Sequence, residues 1–369
     1  MSSSRGLAVG DYVLEARIGQ GAQGEVWRAR AKRTGDWVAL KLFQLGIDDD
    51  EIKQVRRRVD REIGALKSLK DPGIVAVTDY GEQPDTALLN RGYIYVAYEL
   101  ISGLDVDKCL RTAVPPAPAE VLGLLSGLAP GLGKAHTLGL VHRDIKPSNI
   151  LLRDSNWHKP VLADFGCVKP PRASKLTITG LALGTLGYIA PEVLVDSSSA
   201  TPRSDQWSLA RVAVEGLAIA LGAGLEEIQT LGPHEIVEEH IQPHARLTAA
   251  ALEIPLARDP KRRAADVTAM ARSISEAMKS DGLVVSGQAK LPTRARWDGQ
   301  EPLADYFVRL GFEINDRRDR EGCLWVVADK ETLNLVRDYL RERGVDLGFA
   351  DQGGGATQRR PAWYTKSPK

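Results

Sequence analysis

The chain has 369 residues, is 43% hydrophobic and 26% charged, and carries a net charge of +1. That length suits two or three domains, the composition is that of a folded soluble protein, and a charge so near zero gives no global field to draw in nucleic acid or an anionic membrane. Cys109, Cys167 and Cys323 are too scattered for a disulfide framework or a C-x-x-C zinc site, which points to a reducing, cytoplasmic setting.

Residues 1–10 form a small polar tail without the apolar core of a signal peptide. Asp11 to Ile18 alternates apolar and polar residues and is expected to be a strand. It runs into Gly19-Gln20-Gly21-Ala22-Gln23-Gly24, after which Val26 to Arg30 resumes the alternation, so the glycines cap a hairpin instead of opening a helix. Such a loop either only turns the chain or lets backbone N–H groups approach phosphate oxygens. The strand Trp37 to Phe43 carries Lys41 among apolar neighbours, where an unpaired amine is costly. Taken alone, a solvated edge lysine is the simpler reading. Ile52, Val55, Val59, Ile63, Leu66 and Leu69 predict a helix over 48–69, which also carries Glu51, Asp60 and Glu62.

Two further strands are expected at 75–80 and 92–100, joined by a polar loop. Pro115-Pro116-Ala117-Pro118 marks a turn before an apolar helix from Ala119 to Leu138. Val141-His142-Arg143-Asp144-Ile145-Lys146-Pro147-Ser148-Asn149 then places a carboxylate, an amine and a carboxamide in one loop between two apolar runs. A loop fixed by buried flanks can aim three polar groups at one point. One hairpin later comes Asp164-Phe165-Gly166. The segment from Cys167 to Gly184 is rich in Pro, Ser, Thr and Lys, reads as an exposed loop, and ends in Gly184-Thr185-Leu186-Gly187-Tyr188-Ile189-Ala190-Pro191-Glu192. The apolar run Val212 to Leu225, interrupted by Glu215, is too short for a bilayer and reads as a buried helix.

In this order the motifs resemble the eukaryotic-like (Hanks-type) serine/threonine protein kinases: H-R-D-x-K-x-x-N at 142–149, Asp-Phe-Gly at 164–166 and G-T-x-x-Y-x-A-P-E at 184–192. The likeness extends from Asp11 to Gly282 and departs at Asp71, where the family usually has His before Pro72. It implies an α+β, bilobal protein-kinase fold. The N-lobe (11–100) would hold an antiparallel sheet plus one helix, and the C-lobe (101–282) would be mainly helical. A linker (283–300) and a small α/β accessory domain (301–369) would follow.

The resemblance further implies ATP as phosphoryl donor, Mg2+ (with Mn2+ as a substitute) as metal, and a protein substrate. Gly19, Gly21 and Gly24 would cover the phosphates, and Val26, Ala39 and Leu151 would enclose the adenine. Glu99 and Ile101 would pair with its edge from a hinge behind Tyr98, and Asp105 would either contact the ribose or cap a helix. Lys41, held by Glu62 in preference to Glu51 or Asp60, would neutralise the α- and β-phosphates. Asn149 and Asp164 would hold the metal, Asp144 would accept the substrate hydroxyl's proton, Lys146 would steady the γ-phosphate, and Thr185 would orient Asp144 and Lys146. Ser174, Thr177 and Thr179 are phosphoacceptor candidates, with Arg143 placed to pair with an added phosphate. Glu192 and Arg263 would form a structural pair, and Asp205 would hold the catalytic loop from behind. The rival class is a pseudokinase-type switch or scaffold, against which the retention of Lys41, Asp144 and Asp164 argues.

The C-terminal part reads as an α-β-β-α-β module, with helices at 302–310 and 330–343 and extended segments at 312–314, 323–328 and 345–349. It has barely enough core to fold alone. Its glycine run (353–355), Arg359, Arg360, Trp363 and Tyr364 either bind phosphate and stack a base or, as the preferred reading has it, leave both aromatics to plug the core. Its expected role is to recruit a substrate, a partner or nucleic acid.

Overall fold

A computed structural model describes residues 6–21, 24–44, 49–83, 92–112, 114–165 and 187–284, and in the C-terminal part 303–304, 307, 313–316, 324–327, 340–341, 345, 347–350 and 362–365. The strands β1 (Ala8–Val9), β2 (Tyr12–Gly21), β3 (Gly24–Ala31), β4 (Trp37–Gln44), β5 (Val77–Gln83) and β6 (Tyr93–Glu99) form one antiparallel sheet in the order β1-β2-β3-β4-β6-β5. β1 lies in the stretch expected to be a tail: Ala8 and Val9 pair with Val13 and Tyr12, and Val9 is fully buried.

Strand alternation sorts the side chains onto two faces. Leu14, Trp27, Ala29, Leu40, Leu42 and Ala97 close one apolar cluster. Phe43, Ile94, Val96 and Tyr98 face the other way and join the main core with Val59, Ile63 and Leu66 of helix α1 (Asp49–Ser68). β4 and β6 are therefore covered on both sides.

The C-lobe is built from α2 (Val106–Arg111), α3 (Pro118–Thr137), the hairpin β7 (Ile150–Leu152) and β8 (Pro160–Leu162), α4 (Pro191–Val195), α5 (Pro202–Ala220), α6 (Leu225–Thr230), α7 (Pro233–Ile236), α8 (Arg246–Glu253) and α9 (Val267–Ser280). α3 starts as its proline predicts, with Glu120 accepting the Ala117 N–H at 2.7 Å. α5 is buried without interruption from Ser204 to Ile219. The apolar core continues from α1 through α3, α5 and α9, and Cys109 is buried within it. Among the described residues no helix is long and apolar enough to cross a membrane.

The C-terminal module is a second antiparallel sheet, β9 (Glu313–Asp316), β10 (Leu324–Val327), β11 (Gly348–Ala350) and β12 (Ala362–Thr365), in the order β11-β12-β10-β9. Leu303, Phe307, Leu324, Val326, Leu340, Val345, Leu347 and Trp363 form its core, against which Val114 of the C-lobe packs. β12 corrects the α-β-β-α-β reading. Trp363 does plug the core at 1% exposed, whereas Tyr364, one residue on, points to the opposite face.

Candidate active site

The β2–β3 hairpin ends with Gly21 paired to Gly24, and Gly19 lies opposite Val26. Gly24 (φ +134°) runs so close to β4 that a Cβ would sit 2.0 Å from the Leu42 carbonyl oxygen, so only glycine fits. Lys41 stands in β4 between Val26 of β3 and Val96 of β6. It is 6% exposed and must be paired. Its Nζ lies 2.9 Å from Asp164 Oδ1 and 5.3 Å from the centre of the Phe43 ring.

The expected Lys41–Glu62 pair is not made among the described residues. Glu62 accepts from the adjacent Arg61 at 3.3 Å. The apolar side of α1 fixes the helix rotation through Val59, Ile63 and Leu66, and the amine is already satisfied by the nearer carboxylate of Asp164.

Below the cleft, Asp205 anchors the catalytic loop. This carboxylate is 1% exposed and accepts the His142 N–H at 2.8 Å and the Arg143 N–H at 3.0 Å, with His136 Nε2 also at 2.8 Å. Those bonds hold Arg143 at φ +66°, a conformation that costs an L-residue on the order of 1–3 kcal/mol. His142 accepts the Asp144 N–H on Nδ1 at 3.3 Å, so its Nε2 carries the proton donated to the Ala163 carbonyl at 2.9 Å. Its ring also packs 4.5 Å from Phe165. The Ala163 N–H donates to the Asn149 carbonyl at 2.9 Å, which brings Asp164 (φ +61°) beside the catalytic loop.

Asn149 is 8% exposed, and its Nδ2 donates to the Asp144 carbonyl at 2.7 Å and to Asp144 Oδ2 at 3.0 Å. Lys146 Nζ stands 3.4 Å from the same Oδ2. One carboxylate oxygen is thus gripped from two sides, which fixes the direction of the other. Because the amide nitrogen of Asn149 faces Asp144, its amide oxygen is turned away from Asp144, and with the Asp164 carboxylate it offers two hard oxygen donors. Among the described residues no cluster of three His, Cys, Asp or Glu is arranged to hold a metal. Two donors nonetheless fit magnesium, which takes one or two protein oxygens and completes its shell with phosphates and water.

The Glu99 N–H is taken by the Ala76 carbonyl at 3.0 Å, so Glu99 offers a ligand only its own carbonyl. Ile101 and Leu151 are partly buried against the core, as is Ala39. Asp105 proves to be the N-cap of α2, accepting the Lys108 N–H at 2.8 Å while its other oxygen pairs with Lys108 Nζ at 2.8 Å. Gly166, Ser174, Thr177, Thr179 and Thr185 lie outside the described residues.

Glu192 meets Arg263 in a bidentate pair at 2.7 and 2.8 Å. Arg263 also donates to the Ala257 and Arg203 carbonyls and lies over the Trp207 ring. Two arrangements escaped the sequence. The Tyr188 hydroxyl donates to the buried Glu215, with the Arg211 guanidinium over the Tyr188 ring. Burial pushes the Glu215 carboxyl up, partly countered by Arg211, and pushes the Tyr188 phenol up as well. The break that Glu215 makes in an apolar run was its only trace. The second is an ion pair of Glu99 with Arg153. Between the catalytic loop and Tyr188 lies a cavity of about 20 Å³, room for one water-sized group, lined by Asp144, Lys146, Tyr188 and Ser208.

Residues 12–252 match the family described as protein kinase domain. The chain is similar to serine/threonine-protein kinase PknE of Mycobacterium tuberculosis, with 33% identity over 232 residues, 63% of this chain and 39% of that protein. To PknH of Mycobacterium bovis it is 30% identical over 311 residues, 80% of this chain and 50% of that protein. The chain thus spans half or less of the length of these two relatives. A crystal structure of the Mycobacterium tuberculosis PknI kinase domain superposes with a TM-score of 0.56 at 26% identity, covering 75% of this chain and all of that domain.

Proposed function

Since the chain belongs to the protein kinases, in their Hanks-type serine/threonine branch, we propose that it transfers the γ-phosphate of ATP to serine and threonine hydroxyls of proteins. The observation that carries this reading is the restraint of Asp144 by Asn149 and Lys146, together with the meeting of Lys41 and Asp164 across the cleft.

In the reaction the substrate oxygen forms a bond to the γ-phosphorus as the bond to the β,γ-bridging oxygen breaks, and ADP leaves. Asp144 aligns the hydroxyl and accepts its proton on its carboxylate, which Asn149 and Lys146 hold in place. Lys146 stays beside the moving phosphoryl group, and Lys41 neutralises the remaining phosphates. The hairpin glycines cover those phosphates, and the carbonyl of Glu99 with the backbone of Ile101 meets the adenine between Val26, Ala39 and Leu151. Asn149 and Asp164 would hold magnesium (or manganese), which would supply charge neutralisation for the phosphates. Glu62 reaches Lys41 only after α1 turns, and Thr185 orients Asp144 and Lys146.

Ser174, Thr177 and Thr179 are the proposed autophosphorylation sites, with Arg143 receiving the added phosphate. The proposed kinase domain spans 11–282, with β1 added to its sheet. A linker at 283–300 leads to a module at 301–369 that recruits a substrate, a partner or nucleic acid. Cysteine usage supports a cytoplasmic setting.

Incubation with Mg-ATP followed by intact mass measurement tests the activity. Added phosphates on the wild type and none on Lys41→Ala are expected, and a wild type that never gains mass or modifies a generic protein substrate refutes it.

A further inference from the structure

Phosphoryl transfer leaves the C-terminal sheet unused. Period-two alternation divides its side chains between two faces. Leu324, Val326, Trp363 and Thr365 point to one side and are at most 2% exposed, where Leu303, Phe307 and Leu340 close the core over the first three. Trp325 and Tyr364 point to the other side, where they are partly exposed and stand outside that core.

These two side chains are cross-strand partners on the two central strands, β10 and β12. Their ring centroids are 5.2 Å apart and their planes meet at 40°. The Tyr364 ring lies back across β11. A Cβ at Gly348, its partner there, would come within 2.5 Å of the ring's Cζ, so any side chain at 348 would lift the ring from the sheet. Two aromatic surfaces are therefore set side by side on a support cleared for one of them.

Such rings offer π faces to planar groups, and every nucleobase has one. The local charge completes the match. Residues 353–369 contain Arg359, Arg360, Lys366 and Lys369 and no acidic residue, so basic side chains border β12 in the chain on both sides. A stretch of sequence that is basic and free of acids suits a ligand with a phosphate backbone. Base-paired duplex would gain little, because its bases are already stacked and turned away from a flat aromatic surface.

We propose that Trp325 and Tyr364 form a stacking platform for single-stranded nucleic acid on the outer face of the C-terminal sheet. The site deepens the recruiting role given above to the module and is independent of phosphoryl transfer.

The test titrates the full chain against a fluorescein-labelled single-stranded oligonucleotide of about 15 nucleotides, long enough to fill the site of known single-strand binders. DNA and RNA versions are compared at rising salt, with unlabelled duplex as competitor. Saturable, salt-sensitive binding that duplex displaces poorly is expected. Trp325→Ala and Tyr364→Ala should each weaken it roughly 5- to 150-fold, the range for loss of one stacked base. Trp325→Phe should retain most of the affinity, which separates loss of stacking from loss of fold. Lys41→Ala should bind as the wild type does, so a failed kinase reading leaves this result standing.

Wild-type protein that binds no oligonucleotide at low salt overturns the proposal. So does binding that survives both alanine variants, each shown folded by circular dichroism. If deleting 301–369 alters phosphorylation of protein substrates while the full chain ignores every oligonucleotide, the recruiting role holds and the ligand class assigned here is wrong.

Discussion

Glu99 and Arg153 tie the two lobes together beside the nucleotide cleft. Each carboxylate oxygen of Glu99 lies 2.8 Å from a guanidinium nitrogen of Arg153, and Oε1 also accepts the Ala76 N–H at 2.9 Å. One side chain at the end of β6 thereby touches the strand beside it and the turn after β7. The backbone that would pair with adenine hangs from this joint.

Arg153→Ala is therefore expected to raise the KM for ATP about fivefold with little change in kcat, the effect of losing a partly exposed pair of about 1 kcal/mol. Arg153→Lys, which cannot form the two-pronged contact, should fall in between. Steady-state kinetics at varied ATP read both, and an unchanged KM in Arg153→Ala would show that the joint does not set hinge geometry.

Asp144→Asn should lower turnover by about 10²- to 10⁴-fold, the usual worth of a positioned acid or base. ATP affinity should hardly move, since Lys41 and Asp164 are untouched. Phosphate incorporation and nucleotide binding, measured on the same preparation, separate the two effects. Full turnover in this variant would remove Asp144 as the proton acceptor.

The Glu192–Arg263 pair is the strongest stability prediction. The Arg263 side chain is fully buried and that of Glu192 is 16% exposed. Removing one member leaves the other charged and enclosed, which costs about 3–5 kcal/mol. Arg263→Ala should lower the melting temperature markedly, and Arg263→Lys should restore only part of the loss. A melting curve identical to wild type would place the pair among ornamental contacts.

Tyr12 predicts an alkaline response. Burial, with Asp79 nearby, pushes its phenol up to about 12. A folded value above the ordinary one near 10 means that the folded state holds its proton more tightly. This contribution to stability is complete below pH 10 and is lost as pH rises from 10 to about 12. Tyr12→Phe should flatten the fall of the denaturation midpoint over that interval. Parallel curves for the two proteins would contradict it.

Much of this architecture was legible in the primary structure, for a physical reason. Residues that meet at one point through short loops must keep strict spacing, so His142 to Asn149 and Asp164-Phe165 could be read as motifs. Long periodic elements such as α1 and α3 were equally plain. What stayed hidden depended on tertiary choice. Two-residue β1 is too short to show alternation, and adjacent Trp363 and Tyr364 looked like one apolar unit although they face opposite ways. Lys41 had several carboxylates in prospect, and only the packed rotation of α1 leaves it with Asp164 and Glu62 with Arg61. Arg153 carried no signal at all, because an arginine after a strand is ordinary until its partner is known.

The three-point grip of Asp205 on His136, His142 and Arg143 separates two tasks within the same few residues. The loop is fastened through backbone amides from the rear, so its mounting is largely indifferent to which side chains project forward. Descendants of this chain have room to alter what they recognise at the front of the blade without re-engineering the handle.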